Sequence, residues 1–288
     1  MSGIARRASL PSPPPLWGRS DRHSASETRV NALLAIREGG NGGVLSSAPP
    51  PQPSPTRGEG EESAHRFGIN ISGISLIADP CGALYWPEHG LLAVSDLHLE
   101  KGSSFARRGM LLPPYDTAAT LARLTKLIAH YAPRMIVALG DSFHDGGGPS
   151  RLAVDDRDGI AALQRGRDWV WITGNHDPEP ADGIGGVFTH SLSIDALTFR
   201  HLPSGAAGEI AGHLHPVAKI SQRGRSVRRR CFAADQTRLV MPAFGEFTGG
   251  LNIRAAAFAD LFGTLAFTAH MLGPDRLYAF AARRCLAD

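Results

Sequence analysis

The sequence predicts an α/β fold whose strands are joined by helical crossovers, and three observations predict it. Short unbroken apolar runs at 91–95, 134–139 and 169–173 have the length and character of strands buried on both faces. Stretches with helical apolar spacing lie between them. Each of these runs, and a later one at 208–211, ends in a cluster of Asp, His or Asn. The carboxyl ends of strands are where open α/β sheets bind ligands.

The elements follow in order. Leu91-Leu-Ala-Val-Ser95 is the first buried strand. Residues 116–131 carry apolar side chains at 121, 124, 127 and 128, the spacing of one helix face. Pro113 and Pro114 precede this helix and Pro133 follows it, which is ordinary helix punctuation. Residues 134–139 form the second buried strand, 159–165 a second helix, and 169–173 the third strand. Strand-like pieces then follow one another at 197–200, 208–211, 227–232 and 238–241, so the second half is the richer in strands. There is no internal repeat.

The chain has 288 residues, 42% apolar and 20% charged, with a formal charge of +3. That balance excludes wholesale disorder and a strongly charged nucleic-acid coat. Residues 1–66 hold 9 of the 21 Pro, with 8 Arg and 6 acids, and carry Pro-rich patches at 10–16 and 49–55. They bury too little to offset the entropy of ordering, and are expected to be a disordered tail before a folded domain at 67–288. The tail has no apolar core of signal-peptide length; its first ten residues are Arg-rich, a weak transit-like feature. It reads alternatively as translated upstream sequence, although no Met between Met1 and Met110 offers a later start. Cys81, Cys231 and Cys285 lie in no metal-ligand spacing and suit a reducing, cytoplasmic compartment. The longest apolar stretch, 255–272, is broken by Asp260, Gly263 and His270, so no membrane span is expected.

The polar clusters are Asp96-Leu-His98, Gly140-Asp-Ser-Phe-His-Asp145, Gly174-Asn-His-Asp177 and Gly212-His-Leu-His215. Asp and His together suit Mn²⁺, Zn²⁺ or Fe, and the lack of Cys argues against a structural zinc site. An i,i+2 pair at a strand end can present both side chains to one centre. Asp141 has two oxygens and can bridge two ions, and Asn175 offers a hard neutral ligand. Two such ions clamp the attacking and leaving oxygens of an in-line displacement at phosphorus. His23, His65, His89, His130, His190 and His270 read as ordinary surface histidines. The Gly-rich segments 146–148 and 183–186 read as turns, and no phosphate-binding loop of an NTP-driven motor is present. Two basic clusters stand out: Lys101, Arg107 and Arg108, and Lys219, Arg223, Arg225, Arg228, Arg229 and Arg230. The default for each is a solvated face; the functional reading is contact with a phosphate backbone. Alternation around 225–230 keeps these Arg from all reaching one ligand.

In this order D-x-H, G-D, G-N-H-D and G-H-x-H resemble the calcineurin-like metallophosphoesterase superfamily over about 90–216. Ser95-Asp-Leu-His-Leu-Glu-Lys-Gly102, Ala138-Leu-Gly-Asp-Ser-Phe-His-Asp145, Gly208-Glu-Ile-Ala-Gly-His-Leu-His-Pro216 and Pro242-Ala-Phe-Gly-Glu-Phe-Thr-Gly-Gly250 are similar to the bacterial ligase-associated DNA damage response endonuclease family, PdeM. The resemblance implies a two-sheet core flanked by helices. It implies that Asp96, His98 and His215 bind one ion, that Asp141 bridges, and that Asn175, His201 and His213 bind the other. His201 stands in Phe199-Arg-His-Leu without a long motif. His176 would face the substrate as general acid or electrostatic stabiliser, with Asp177 orienting it through a hydrogen bond. The superfamily commonly reads G-D-x-x-D; here His144 takes the last place and Asp145 follows, as in double-strand-break repair nucleases of the superfamily. His144 is thus a catalytic candidate or a structural residue, and Asp145 a catalytic candidate or a turn cap. Lys101, Arg107 and Arg108 follow the first motif and would bind substrate. The implied function is DNA endonuclease activity in repair, with two divalent ions, Mn²⁺ favoured, and a functional association with a DNA ligase and a helicase. A hydrolase of a small nucleotide or other phosphoester is the first alternative. A non-catalytic repair-complex scaffold is the second, and the complete ligand set argues against it.

Overall fold

The computed structural model describes residues 67–263 and 265–288; the expected disordered tail lies outside the described residues. The first sheet has seven strands: β1 (Gly68–Ile71), β2 (Ile74–Ala78), β3 (Leu84–Trp86), β4 (Leu91–Val94), β5 (Met135–Leu139), β6 (Asp168–Ile172) and β7 (Val187–Thr189), paired in that order. The first four run antiparallel to one another and β4 to β7 run parallel. Parallel neighbours need crossovers, and helices supply two of them. Helices α1 (Lys101–Ala106) and α2 (Asp116–Tyr131) lie between β4 and β5. Helices α3 (Gly148–Arg151) and α4 (Val154–Gln164) lie between β5 and β6.

The second sheet collects β8 (Ser191–Ile194), β9 (Leu197–Arg200), β10 (Glu209–Ala211), β11 (Pro216–Gln222), β12 (Arg225–Ala234), β13 (Arg238–Val240), β14 (Leu251–Asn252), β15 (Thr268–Leu272) and β16 (Leu277–Ala281). Helix α5 (Ala256–Phe262) sits on its far side.

The unbroken apolar runs of β4 to β6 have a packing reason. Leu91, Ala93, Met135, Val137, Val170 and Ile172 face the second sheet, where Phe199, Ile210, Phe232 and Leu239 meet them. Leu92, Val94, Ile136, Ala138, Trp169 and Trp171 face the other way, against Leu121, Leu124 and Ile128 of α2 and Ile160 of α4. Both faces are covered, so both phases of the strand are apolar. A third cluster, with Cys231, Ala233, Phe258, Phe267 and Met271, closes the outer face of the second sheet. The layers are helix, sheet, sheet, helix.

The α2 helix spans the residues its spacing predicts. The helix expected at 159–165 is α4, which begins at Val154, because its first turn carries Asp155 and Asp156 and only Ile160 and Leu163 are buried. Polar first turns suit the helix dipole but give no apolar signal.

Register sets the level of the strand ends. Val94 pairs with Ala138 and Leu139 with Ile172, so the chain leaves β4, β5 and β6 at one height. In the second sheet Ala211 pairs with Arg200, so β9 and β10 also end together.

Candidate metal centre

The loops leaving these ends bring Asp96, His98, Asp141, Asn175, His201, His213 and His215 into one place. Five of the seven, Asp96, His98, Asp141, His213 and His215, have φ between 44° and 69°. Left-handed backbone is uncommon for residues other than glycine and is maintained only where the surroundings fix it. Glycines precede three of these residues, Asp141, Asn175 and His213, for a steric reason. A Cβ on Gly140 would lie 2.5 Å from the His201 ring, one on Gly174 would lie 2.1 Å from Asp141 Oδ1, and one on Gly212 would lie 2.0 Å from Ser95 Oγ. The glycines are the space into which His201, Asp141 and Ser95 pack.

The side chains fall into two groups. In one, Asp96, His98 and His215 converge: His215 Nε2 is 3.1 Å from Asp96 Oδ1 and 3.4 Å from His98 Nε2. In the other, Asp141, His201 and His213 converge, with His201 Nε2 3.3 Å from Asp141 Oδ1 and 3.2 Å from His213 Nδ1. Asn175 Oδ1 joins the second group at 2.9 Å from His201 Nε2. Asp141 lies between them, its other oxygen 3.9 Å from His98 Nε2. His201, which had no long motif, belongs here because β9 ends level with β10.

The arrangement asks for positive charge. His201 Nδ1 donates to the Leu139 carbonyl at 2.9 Å, so its Nε2 is the atom facing the Asn175 and Asp141 oxygens. That contact is favourable only if a proton or a cation sits there. Accordingly the His201 pKa is raised: burial alone would lower it, and the bond to Asp141 and the charges of Asp96 and Asp141 outweigh burial. Burial would raise Asp141, but His201 holds it down at about 2. Asp96 is lowered too, burial being outweighed by His215 and His201. His98 is pushed down to about 3, chiefly by burial, and its Nδ1 is buried without a partner. Neutral imidazoles and ionised carboxylates, without a thiolate, are the donor set of a Mn²⁺, Zn²⁺ or Fe site, and these residues fit one.

His176 is at the mouth of this cluster, its side chain 39% exposed. Its backbone N–H donates to Asp141 Oδ1 at 2.9 Å, and its Nε2 is 4.0 Å from Asp141 Oδ2. The expected hydrogen bond from Asp177 is replaced: His176 Nδ1 is 2.7 Å from the His144 carbonyl. Asp177 instead accepts from the N–H groups of Gly174 at 2.9 Å, Ser142 at 2.7 Å and Phe143 at 3.1 Å. Three convergent donors hold this carboxylate more firmly than one ring nitrogen would. Its pKa is nevertheless raised to about 6, mainly by burial, with the Asp141 charge adding. The His144 ring is pushed down to about 4 by burial and by Lys101. It forms a third group with His98 and His176. Asp145 takes the turn-cap role: its Oδ1 accepts from Gly147 N–H at 2.9 Å, and it pairs with Arg151.

Lys101 opens α1, with its ammonium 5.9 Å over the Phe105 ring, and burial lowers its pKa. Arg107 and Arg108 are exposed just beyond that helix, and Lys101 and Arg108 are both near enough to depress His144. Of the second basic cluster, Arg230 donates to the Ala243 carbonyl at 2.8 Å and Arg228 to the Gly250 carbonyl at 2.8 Å.

The sequence reading gave no role to the 242–250 loop. Its Gly249 carbonyl is 3.3 Å from His215 Nδ1, and Gly245 N–H donates to the Asp96 carbonyl. Arg123 of α2 secures it, stacking over Phe244 at 4.4 Å, pairing with Glu246 at 2.6 Å and donating to the Phe244 carbonyl. The Pro242–Gly250 stretch, with glycines at 245, 249 and 250, was the available signal.

Two sheets between helices, with candidate Asp, Asn and His ligands at the strand ends, are the features of a metallophosphoesterase. Residues 90–231 match the calcineurin-like phosphoesterase family, and the chain carries a domain of that family and is a hydrolytic metallophosphoesterase. The structure of Pseudomonas putida nuclease MPE is 29% identical, covers 74% of this chain and 100% of its own, and superposes with a TM-score of 0.58. That of Yfce, a phosphoesterase from E. coli, is 15% identical, covers 67% of this chain and 98% of its own, with a TM-score of 0.34. No curated protein matches the chain. Among the described residues no helix is long and apolar enough to cross a membrane.

Proposed function

We propose that this metallophosphoesterase is a DNA endonuclease acting in repair, working with two divalent ions of which Mn²⁺ is the favoured kind. The observation that carries the two-ion reading is Asp141, whose oxygens face different ligand groups, Oδ1 toward His201 and Oδ2 toward His98. Asp96, His98 and His215 would hold one ion, Asn175, His201 and His213 the other, and Asp141 both. When bound, the ions supply Lewis-acid neutralisation for an in-line displacement at phosphorus. The chain supplies the rest. The His144 carbonyl fixes the His176 ring through Nδ1, leaving Nε2 toward the mouth, where it holds a proton for the departing oxygen. Asp177 fixes the backbone that carries Asn175 and His176. Lys101, Arg107 and Arg108 would contact phosphates flanking the scissile bond. The nucleic-acid substrate is supported by the likeness to a nuclease. Residues 67–288 would be the working domain of a cytoplasmic protein associated in function with a DNA ligase and a helicase.

The test is incubation with supercoiled plasmid DNA and with bis-p-nitrophenyl phosphate across Mn²⁺, Zn²⁺, Fe²⁺ and Mg²⁺. Nicking and ester turnover are both expected with Mn²⁺, and Asp141→Asn should lower both by at least about 100-fold. Ester turnover with intact plasmid would overturn the endonuclease reading and leave the phosphoesterase assignment standing.

A further inference from the structure

The β11–β12 hairpin begins at the metal centre. His215 is a candidate ligand and Pro216 is the first residue of β11. Seven residues of strand carry the chain roughly 23 Å outward, at ~3.3 Å per residue. Along β11 burial falls from buried to exposed, and β12 starts exposed and becomes buried over its last four residues. The outer half therefore projects beyond the sheet. Arg223 and Gly224 turn it with φ of 50° and 73°, the two positive values of a tight hairpin turn.

Charge is segregated onto this arm. Residues 216–234 contain Lys219, Arg223, Arg225, Arg228, Arg229 and Arg230 and no acid, whereas the remainder of 67–288 carries a net charge of −5. The two faces of the arm differ. On one, Lys219 and Arg228 each lie 3.8 Å from Asp288, Arg228 also donates to Gly250, and Arg230 is turned in onto the 242–250 loop. On the other, Arg225 and Arg229 stand on the same side, roughly 13 Å apart at ~3.3 Å per residue, with Arg223 at the tip. All three are exposed, and no acidic side chain pairs with them among the described residues. A row of unpaired guanidinium groups leading out from a phosphoesterase centre complements a phosphate backbone.

We propose that Arg223, Arg225 and Arg229 form a second contact with DNA, gripping the strand several nucleotides away from the bond that is cut. The proposal rests on the endonuclease reading above. It gives a length rule. At ~3.4 Å per nucleotide step, the ~23 Å arm corresponds to about seven steps; Arg229, opposite Ala218, stands about three steps out and Arg225 and Arg223 near the tip, so a short substrate ends before it reaches the outer half of the arm.

The experiment compares the full chain with an Arg223→Asn, Arg225→Thr, Arg229→Thr variant, which keeps a turn-forming residue at 223 and strand-forming residues beyond it. Substrates are bis-p-nitrophenyl phosphate and DNA of about 4 and about 30 nucleotides. Turnover of the ester and of the short DNA should be unchanged, which also shows that the fold is intact. Affinity for the long DNA should fall about tenfold at low salt, and the slope of log K against log salt should become shallower by about 2 to 3. Lys at all three positions should restore both. Equal affinity and slope for native and variant, in a protein that cuts DNA, would overturn the second contact alone. A native protein that turns over the ester but neither binds nor cuts DNA would overturn the endonuclease reading, and this proposal with it.

Discussion

The candidate metal centre is built from two sets of loops that are held in different ways. Those of the first sheet lock one another. Asp177 binds the backbone of 142, 143 and 174, Asp141 binds the backbone of 176, and His98 and Leu99 donate to the Asp141 and Ser142 carbonyls. Those of the second sheet lean on the first. His213 N–H donates to the Asp96 carboxylate, and Phe244 and Gly245 donate to the carbonyls of Ser95 and Asp96. The first set is thus a frame and the second is hung from it. A disturbance in the frame should reach every ligand, whereas one in the hung loops should stay there.

The largest test of that hierarchy is a pair of identical substitutions. A Cβ on Gly174, in the frame, would lie 2.2 Å from the Asp141 backbone N and 2.1 Å from Asp141 Oδ1. A Cβ on Gly212, in the hung set, would first meet the Ser95 hydroxyl at 2.0 Å and then Asp96 Oδ2 at 2.7 Å. The hydroxyl can rotate away, though it gives up its bond to Asp96; the Asp141 backbone cannot move without its neighbours. Gly174→Ala should cost about 3 kcal/mol or more and Gly212→Ala about 1–2 kcal/mol, read by chemical denaturation. Equal losses, or the reverse order, would break the comparison.

The same asymmetry governs what the sequence discloses. Asp96, Asp141, Asn175, His213 and His215 were legible because buried strands run into them, and glycines stand directly before Asp141, Asn175 and His213. His201 carried no such signal: it enters the site through the parallel pairing of β9 with β10, a long-range register. The positions of β1 to β3 and of β15 and β16 were equally silent, since short antiparallel strands packed on a shared core repeat no distinctive motif. The role of Asp177 was misplaced for a related reason. Its carboxylate binds backbone groups 34 and 35 residues away, and backbone N–H groups carry no sequence identity.

Asp177→Asn separates those two roles. An amide at 177 keeps one acceptor oxygen but turns an NH₂ toward backbone donors, which should cost about 1–3 kcal/mol. Ester turnover measured well below the melting temperature should retain the native position of its pH limbs, because the His176 ring takes its bond from the His144 carbonyl. A shifted limb without loss of stability would return Asp177 to the role of orienting His176.

The smallest effect is expected at the rim of the frame, where Arg151 ties α3 to α1. Its guanidinium is 2.9 Å from Asp145 Oδ1, and its Nε donates to Ser103 Oγ at 2.9 Å. Burial tends to raise the Asp145 carboxyl, but bonds from Arg151 and Ser104 and the Arg151 charge hold it at about 2. A folded pKa below the ordinary 3.8 means that ionised Asp145 stabilises the fold above pH ~4 and that this contribution disappears as pH falls toward ~2. Arg151→Ala should therefore lower stability near pH 6 by less than about 1 kcal/mol, since the carboxylate is 33% exposed and water screens the pair. The gap between native and variant melting temperatures should close between pH 4 and pH 2, the window set by those two pKa values. A gap that stays constant through that window would assign the loss to the packing of the Arg151 stem, and the rim would then be held by contact rather than by charge.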